Sequence, residues 1–383
     1  MACALVAEAL YMIVPANQGR FGAAFEWLGV EQAWQRTRGS ADVVIAIVDE
    51  GVQVDHPLLG PNIQRDLAHN PASGGSHEIP GTHAAGVAAG RLSETEKFAG
   101  VAPEARILPV RFSNGTGPQA LDLAHAIEYA VEMGACIINV SPTGEVAESS
   151  VQRAIQYAAA RNALVVCSAP DASSPMALAD EDRVPNQINV LSVGEQWQPM
   201  ASSARQFAHL AAPGFARVPQ WRGSGHSTLL GNAIGAAYVS GCAALVKTLN
   251  PAWGYHEIKE HLLASCTPHP ELEGRCQTAA ILNVANAVLG PLELVGDARP
   301  LTWPSMTDAV LEWKLRYRAP LCANVLALFR PHGDAHWREL GVGRASALKM
   351  TIPGAALRRS SGTLRISCRE SNFATEEVAL TVT

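Results

Sequence analysis

Several features that mark particular classes of protein are missing from this sequence. Its eight cysteines include no Cys-x-x-Cys pair, so neither a zinc framework nor a chain-wide disulfide framework is indicated. No apolar run approaches the roughly 18 residues that a membrane-spanning helix needs. Charged residues make up 17% of the chain and the net charge is -6, without the basic stripe typical of nucleic-acid binding. We therefore expect no metal, no cofactor, no nucleic acid and no membrane among its partners.

The pattern of apolar residues predicts two domains. A length of 383 residues exceeds what one core usually holds, and 48% hydrophobic residues suffice for a large interior. Within residues 25–291, apolar strands alternate with helical stretches, which predicts an α/β domain with a parallel sheet covered by helices on both faces. Within residues 292–383, apolar and polar residues alternate, which predicts an antiparallel β-sandwich. Residues 1–24 are expected to form an N-terminal extension.

Three short motifs, far apart in the chain, carry the residues of chemical interest. Residues 48–51 (Val-Asp-Glu-Gly) end a strongly apolar run, as an acid held at the C-terminal end of a strand would. Residues 81–86 (Gly-Thr-His-Ala-Ala-Gly) place a histidine just before small residues that can open a helix. Residues 231–234 (Gly-Asn-Ala-Ile) place an alanine at the start of another small-residue stretch.

In this order the motifs resemble those of the subtilisin-like serine proteases (subtilases), and the resemblance covers roughly residues 25–290. The family's acid motif reads Asp-x-Gly, and its histidine motif contains Gly-Thr-His-x-x-Gly. Its serine motif, Gly-Thr-Ser-Met-Ala-x-Pro, is followed by a helix reading Val-Ala-Gly-x-Ala-Ala-Leu. The matching residues here are Gly-Asn-Ala-Ile-Gly-Ala-Ala at 231–237 and Val-Ser-Gly-Cys-Ala-Ala-Leu at 239–245. The resemblance implies a subtilisin-like fold for the first domain.

The resemblance also implies a catalytic triad of Asp49, His83 and a serine whose position is taken by Ala233. In such a triad the histidine removes the proton of the serine, and the aspartate orients the histidine. Alanine has no oxygen with which to attack, so the chain as written is expected to be inert as a protease. The alternative nucleophile, Ser227, would shift the following helix by six residues and lose its match to the family.

An oxyanion hole is implied at Asp171, where the family carries an asparagine after a buried strand. An ionised carboxylate cannot donate a hydrogen bond, although some family members work with aspartate at this position. Asn232, directly before the nucleophile position, is a second candidate donor.

The substrate groove of the family is built from extended segments whose glycines let a peptide pair as an added strand. The alternative interpretation of these segments is two ordinary turns after strands. The implied substrate-binding residues are Gly115, Thr116, Gly117, Ser141, Pro142, Thr143, Ala169 and Pro170.

Three functions remain open at this level. The chain is a serine endopeptidase silenced by an introduced alanine, a natural pseudoprotease that binds peptides or a partner protein, or a peptide-maturation protease or macrocyclase. The partner is a peptide or protein substrate, and the C-terminal domain is a further candidate for binding a partner protein. Residues 1–8 lack the basic start of a secretory signal, and the cysteines show no pairing pattern; together these features favour a cytoplasmic location.

Overall fold

A computed structural model of the chain describes residues 21–64, 80–112, 122–141, 149–169, 184–200, 208–219, 226–294, 301–303, 308–315, 324–344, 347, 349–353, 356, 361–368 and 378–382. The chain divides into two compact units. The first consists of the residues up to Lys259 together with Cys266–Asn283, and the second consists of Glu260–Ser265 together with Val284–Thr383. Among the helices in these described ranges, none is both long and apolar enough to cross a membrane.

The first unit is built on an eight-stranded sheet. Its strands are β1 Val44–Asp49, β2 Arg106–Arg111, β3 Ile137–Val140, β4 Leu164–Ser168, β5 Gln187–Val193, β6 Leu210–Pro213, β9 Thr267–Pro268 and β10 Ala280–Ile281. A separate antiparallel hairpin joins β7 Phe215–Pro219 to β8 His226–Leu230. The spatial order of the large sheet is β2-β1-β3-β4-β5-β6-β10-β9. All its pairs are parallel except β10 with the edge strand β9.

The α-helices within the described residues are α1 Ala23–Leu28, α2 Val30–Ala33, α3 Pro80–Ala89, α4 Leu123–Glu132, α5 Ser149–Ala160, α6 Asn232–Leu249, α7 Tyr255–Ser265 and α8 Val284–Leu289. Helices α4 and α5 form one core with strand residues that include Ile138 and Val140. Helix α6 lies on the opposite face, because its Ser240 hydroxyl donates to Asn139 Oδ1 at 3.0 Å and successive strand residues point to opposite faces. The sheet is therefore covered on both sides.

The second unit contains two sheets whose apolar faces share one core. Its strands are β11 Leu292–Leu294, β12 Leu301–Trp303, β13 Ala309–Leu315, β14 Asn324–Pro331, β15 Arg338–Arg344, β16 Lys349–Ile352, β17 Gly362–Cys368 and β18 Val378–Val382. The orders are β11-β13-β16 and β12-β18-β17-β14-β15. Leu311 and Ile352 from the first sheet pack with Phe329, Leu364 and Leu380 from the second. Only the β12–β18 pair among the described strands of this unit is parallel.

The fold class predicted from the sequence is confirmed: an α/β layer with a mainly parallel sheet, and antiparallel sheets towards the C-terminus. Helix α4 begins at Leu123, later than the 120 expected from the apolar pattern, because the Asp122 side chain accepts a hydrogen bond from His125 N and caps the helix.

Candidate active site

Asp49 is the last residue of β1 and is buried at the carboxyl edge of the large sheet. Its Oδ1 accepts a hydrogen bond from Glu50 N at 2.7 Å. Ser141 lies beside it, because Val48 pairs with Val140, and Asp49 and Ser141 directly follow these two residues in the chain. Burial raises the pKa of Asp49 to about 6, against the opposing effects of the Ser141 hydroxyl and the Glu50 amide. The Ser141 hydroxyl is close enough to act electrostatically but has no full hydrogen bond within the described parts of the chain.

The N-terminal end of α3 packs against Asp49 through Gly81. A Cβ atom at Gly81 would lie 2.8 Å from Asp49 Cβ and would also collide with the carbonyl oxygen of Gly51, so only glycine fits. Gly51 itself has a φ of 126°, a conformation that side chains disfavour. The Thr82 hydroxyl accepts a hydrogen bond from Gln53 N at 2.9 Å, which joins the loop after β1 to the helix. The first turn of α3 is thereby fixed beside the acid.

His83 is the fourth residue of α3, two positions after the glycine that touches Asp49. His83 is buried. Burial, followed by the charge of neighbouring His56, lowers the pKa of His83 to about 4. His56 is also buried, and its Nδ1 accepts a hydrogen bond from Leu58 N at 3.1 Å. Burial is the largest cause of the pKa shift for both Asp49 and His83.

The N-terminal end of α6 is fixed to the same edge of the sheet by two serines. The Ser168 hydroxyl at the end of β4 donates to the backbone oxygen of Asn232 at 3.3 Å. The Ser192 hydroxyl of β5 donates to the same oxygen and accepts from Gly235 N at 3.2 Å. Gly231 precedes the helix in an extended conformation, and Ala233 is its second residue, partly exposed. The alanine therefore stands at the edge that also carries Asp49.

Of the two candidate oxyanion residues, only Asn232 lies within the described residues. Its Oδ1 is buried and has no hydrogen-bond partner among them. Ala169 is buried after β4, and its amide donates to Val190 O at 2.8 Å. Asp171 lies outside the described residues. The same holds for the substrate-binding candidates Gly115, Thr116, Gly117, Pro142, Thr143 and Pro170.

The sheet carries an acid at the end of β1, and a helix rich in small residues begins at the same carboxyl edge. This arrangement agrees with the family to which the sequence is similar. Residues 40–288 match the model of the subtilase family, described as Peptidase_S8. The chain belongs to the subtilase family. That family is one of serine proteases, so the scaffold of the first unit is that of a serine protease.

Two curated relatives and one solved structure illustrate this membership. Thermitase of Thermoactinomyces vulgaris is 32% identical over 232 residues, which are 56% of this chain and 78% of thermitase. The thermophilic serine proteinase of Bacillus sp. (strain AK1) is 31% identical over 226 residues, but these span only 55% of that proteinase. The crystal structure of MycP1 with its N-terminal propeptide removed superposes with a TM-score of 0.55 at 27% identity. That match covers 69% of this subtilase and 96% of MycP1.

Sequence reasoning missed three residues that organise this subtilase site: Ser168, Ser192 and His56. The two serines fix the backbone of Asn232, and His56 sets the surroundings of His83. Ser168 carried a sequence signal, because it is the polar residue that ends the apolar strand β4. Ser192 was less marked, because β5 also contains Gln187 and Asn189. For His56 no sequence signal marks the contact, since it depends on how the loop after β1 folds back onto α3.

Proposed function

We propose that this chain uses a subtilase scaffold to bind peptide segments without hydrolysing them. The observation that carries the proposal is the methyl group of Ala233 at the second position of α6, where the resemblance to the family places a nucleophilic serine. Among the described residues near it, the Ser168 and Ser192 hydroxyls both donate to the backbone of Asn232, so neither replaces the missing oxygen. Without a nucleophile, covalent peptide cleavage has no first step.

Two features support retained binding. The first turn of α6 presents backbone N–H groups that have no acceptor within the helix, and such groups donate hydrogen bonds to carbonyl or carboxylate oxygens. Helix α6 is also kept in place by specific hydrogen bonds at Asn232 and Gly235, so the geometry of this edge has not been lost together with the serine.

A second candidate function is a serine endopeptidase whose nucleophile has been replaced to silence it. The presence of Asp49 favours this second function, because an acid is kept at the end of β1 although burial makes its charged form costly. Under this alternative, the single substitution Ala233→Ser restores cleavage.

A mixed decapeptide library passed over the immobilised protein tests the proposal. Mass spectrometry of the retained and unretained fractions measures binding and any new peptide ends. We expect selective retention with no new ends. A tryptophan at position 233 would occupy the space at the carboxyl edge of the large sheet where a peptide is proposed to bind. The variant Ala233→Trp is therefore expected to abolish peptide retention at this edge. Its matched control is Ala124→Trp, also at the second position of a helix, α4. Retention that is equal for the parent and for Ala233→Trp, or peptides cut by the parent, would refute the proposal.

A further inference from the structure

The five-stranded sheet of the second unit carries apolar residues on both of its faces. Alternate residues of β14 point to the core of the unit, among them Phe329. Leu326 and Leu328 lie between these residues and therefore point to the opposite side, called here the outer face. An antiparallel sheet that buries one face usually carries polar residues on the other, so two outward leucines in one strand depart from the pattern.

The edge strand β15 adds a third aliphatic side chain to the outer face. Val342 pairs directly with Leu326. A Cβ atom at the next residue, Gly343, would lie 2.9 Å from the Cε atom of Met350, which packs against the core. Position 343 thus faces inward and Val342 points outward, where its side chain is 46% exposed. The outer face therefore has an accessible apolar centre.

Beside this apolar centre, two arginines stack on a single indole. The guanidinium carbons of Arg330 and Arg365 lie 4.7 Å and 4.2 Å, respectively, from the centre of the Trp337 ring. Arg365 pairs across the ladder with Leu328, so the stack and the apolar centre are continuous. Stacking on an aromatic ring orients the planar guanidinium group and its fork of N–H donors before any ligand arrives.

The outer face has an excess of positive charge among the described residues. Arg344 adds to the two stacked arginines, because it pairs with Asn324, which is on the outward side of β14. Glu339, paired with Leu328, is an acid that the ladder places on the same face. The chain as a whole has a net charge of -6, so the outer face is a cationic region on an acidic protein.

We propose that the outer face binds an extended acidic segment of a partner protein. Carboxylates of the segment pair with Arg330 and Arg365, since a guanidinium binds a carboxylate through two parallel hydrogen bonds. An aliphatic residue of the segment covers Leu326 and Val342. Tryptophan and arginine are the residues that most often dominate binding energy at protein interfaces, and complementary charge selects an acidic partner over a basic one. The proposal goes beyond the binding proposed at Ala233, because it uses residues of the second unit alone.

Fluorescence anisotropy of the full-length protein tests the proposal with a fluorescein-labelled peptide that repeats Glu-Leu-Glu-Ser. The same peptide with glutamine in place of glutamate is the ligand control, and we expect it to bind at least roughly tenfold more weakly. Arg365→Gln and Arg330→Gln should each weaken binding of the acidic peptide by roughly tenfold or more, because a hydrogen bond to a charged group is lost. Arg338→Gln is the matched control, because the Arg338 guanidinium binds Asp334 at 2.8 Å, and it should change the affinity by less than about twofold.

Equal affinity for the acidic and the neutral peptide would overturn the proposal, as would equal losses in Arg338→Gln and Arg365→Gln. A labelled single-stranded oligonucleotide measures general affinity for polyanions, and binding as tight as that of the acidic peptide would also overturn it. A melting curve shows that each variant is folded, and Arg330→Gln keeps the test available if Arg365→Gln does not fold.

The same titration separates this site from the one proposed at Ala233. Ala233→Trp should bind the acidic peptide as tightly as the parent does. In the library experiment, acidic peptides held by the outer face should therefore stay on Ala233→Trp, whereas the other peptides should be lost. A failure of the proposed function is thus distinguishable from a failure at the outer face.

Discussion

At the scale of single residues, the sequence motifs located the site but did not orient its side chains. Asp49 was predicted at the end of a buried strand, and β1 ends there. Ala233 was predicted at the start of a helix, and it is the second residue of α6. The role predicted for His83 rests on its Gly-Thr-His-x-x-Gly motif, which lies within α3. The collision that a Cβ at Gly81 would cause depends on tertiary packing, which the sequence does not reveal.

The Asp49 carboxyl makes stability depend on pH in a definite direction. Its folded pKa of about 6 lies above the ordinary value of 3.8, so folding favours the protonated form. The associated stabilisation is fully present below pH 3.8 and is lost as pH rises through 6. We expect Asp49→Asn, which stays neutral, to be more stable than the parent by about 3 kcal/mol at pH 8, with the difference disappearing near pH 4.

Urea denaturation of the parent and Asp49→Asn at several pH values measures this effect. Asp122→Asn is a suitable control, because Asp122 is exposed and its pKa shifts downward, which gives the opposite dependence on pH. A pH-independent difference between the parent and Asp49→Asn would show that Asp49 is not the residue responsible.

At the scale of elements, the site depends on close packing between α3 and α6. The sequence predicted both helices from their small residues, but it did not show which glycines touch the neighbouring helix. Gly241 is such a contact: a Cβ there would lie 2.6 Å from Ala88 O and 2.7 Å from Val101 Cβ. Both neighbours belong to buried residues. Helix packing therefore sets how closely the Ala233 end of α6 approaches α3.

We expect Gly241→Ala to lower the free energy of unfolding by about 1–3 kcal/mol. Alanine gains about 1 kcal/mol in helix propensity over glycine, but overpacking a buried contact costs more than this gain. Thermal denaturation measures the change. Gly60→Ala is the control, because the nearest atom to a Cβ there is 3.5 Å away. Stabilisation by Gly241→Ala would mean that α3 and α6 separate without cost.

At the scale of the whole molecule, alternating polarity predicted strands of the second unit such as β17, in which every second residue is buried. From the sequence, a domain boundary is predicted near residue 291. In the structure, α8 and the last part of α7 group with the second compact unit. One contact responsible is the hydrogen bond between His261 Nε2 and Ala287 O at 2.8 Å. Such a contact between two helices leaves no mark in the polarity pattern.

The cysteines differ between the units. Cys368 in β17 is disulfide-bonded, whereas the free thiols among the described residues all belong to the first unit. They are Cys136, Cys167, Cys242, Cys266 and Cys276. We expect a reducing agent to lower the melting temperature of the second unit by several degrees, since removing a disulfide typically costs 2–5 kcal/mol, and to leave the first unit unchanged.

Differential scanning calorimetry with and without a phosphine reductant measures this difference. Cys368→Ser should reproduce the effect of the reductant, and Cys136→Ser should not. A second-unit transition that is insensitive to both treatments would show that the disulfide does not support this unit.

The way in which the chain passes between its two units has a consequence for biosynthesis. Residues 260–265 belong to the second unit, but the chain then returns to the first to supply β9 and β10 beside β6. A ribosome delivers residues in order, and domains usually fold as they emerge. Here the large sheet cannot be completed until residue 281 has left the exit tunnel of the ribosome. By then, part of the second unit has already emerged. No single backbone cleavage can separate the two units, so neither can be released intact by a protease that cuts once between them.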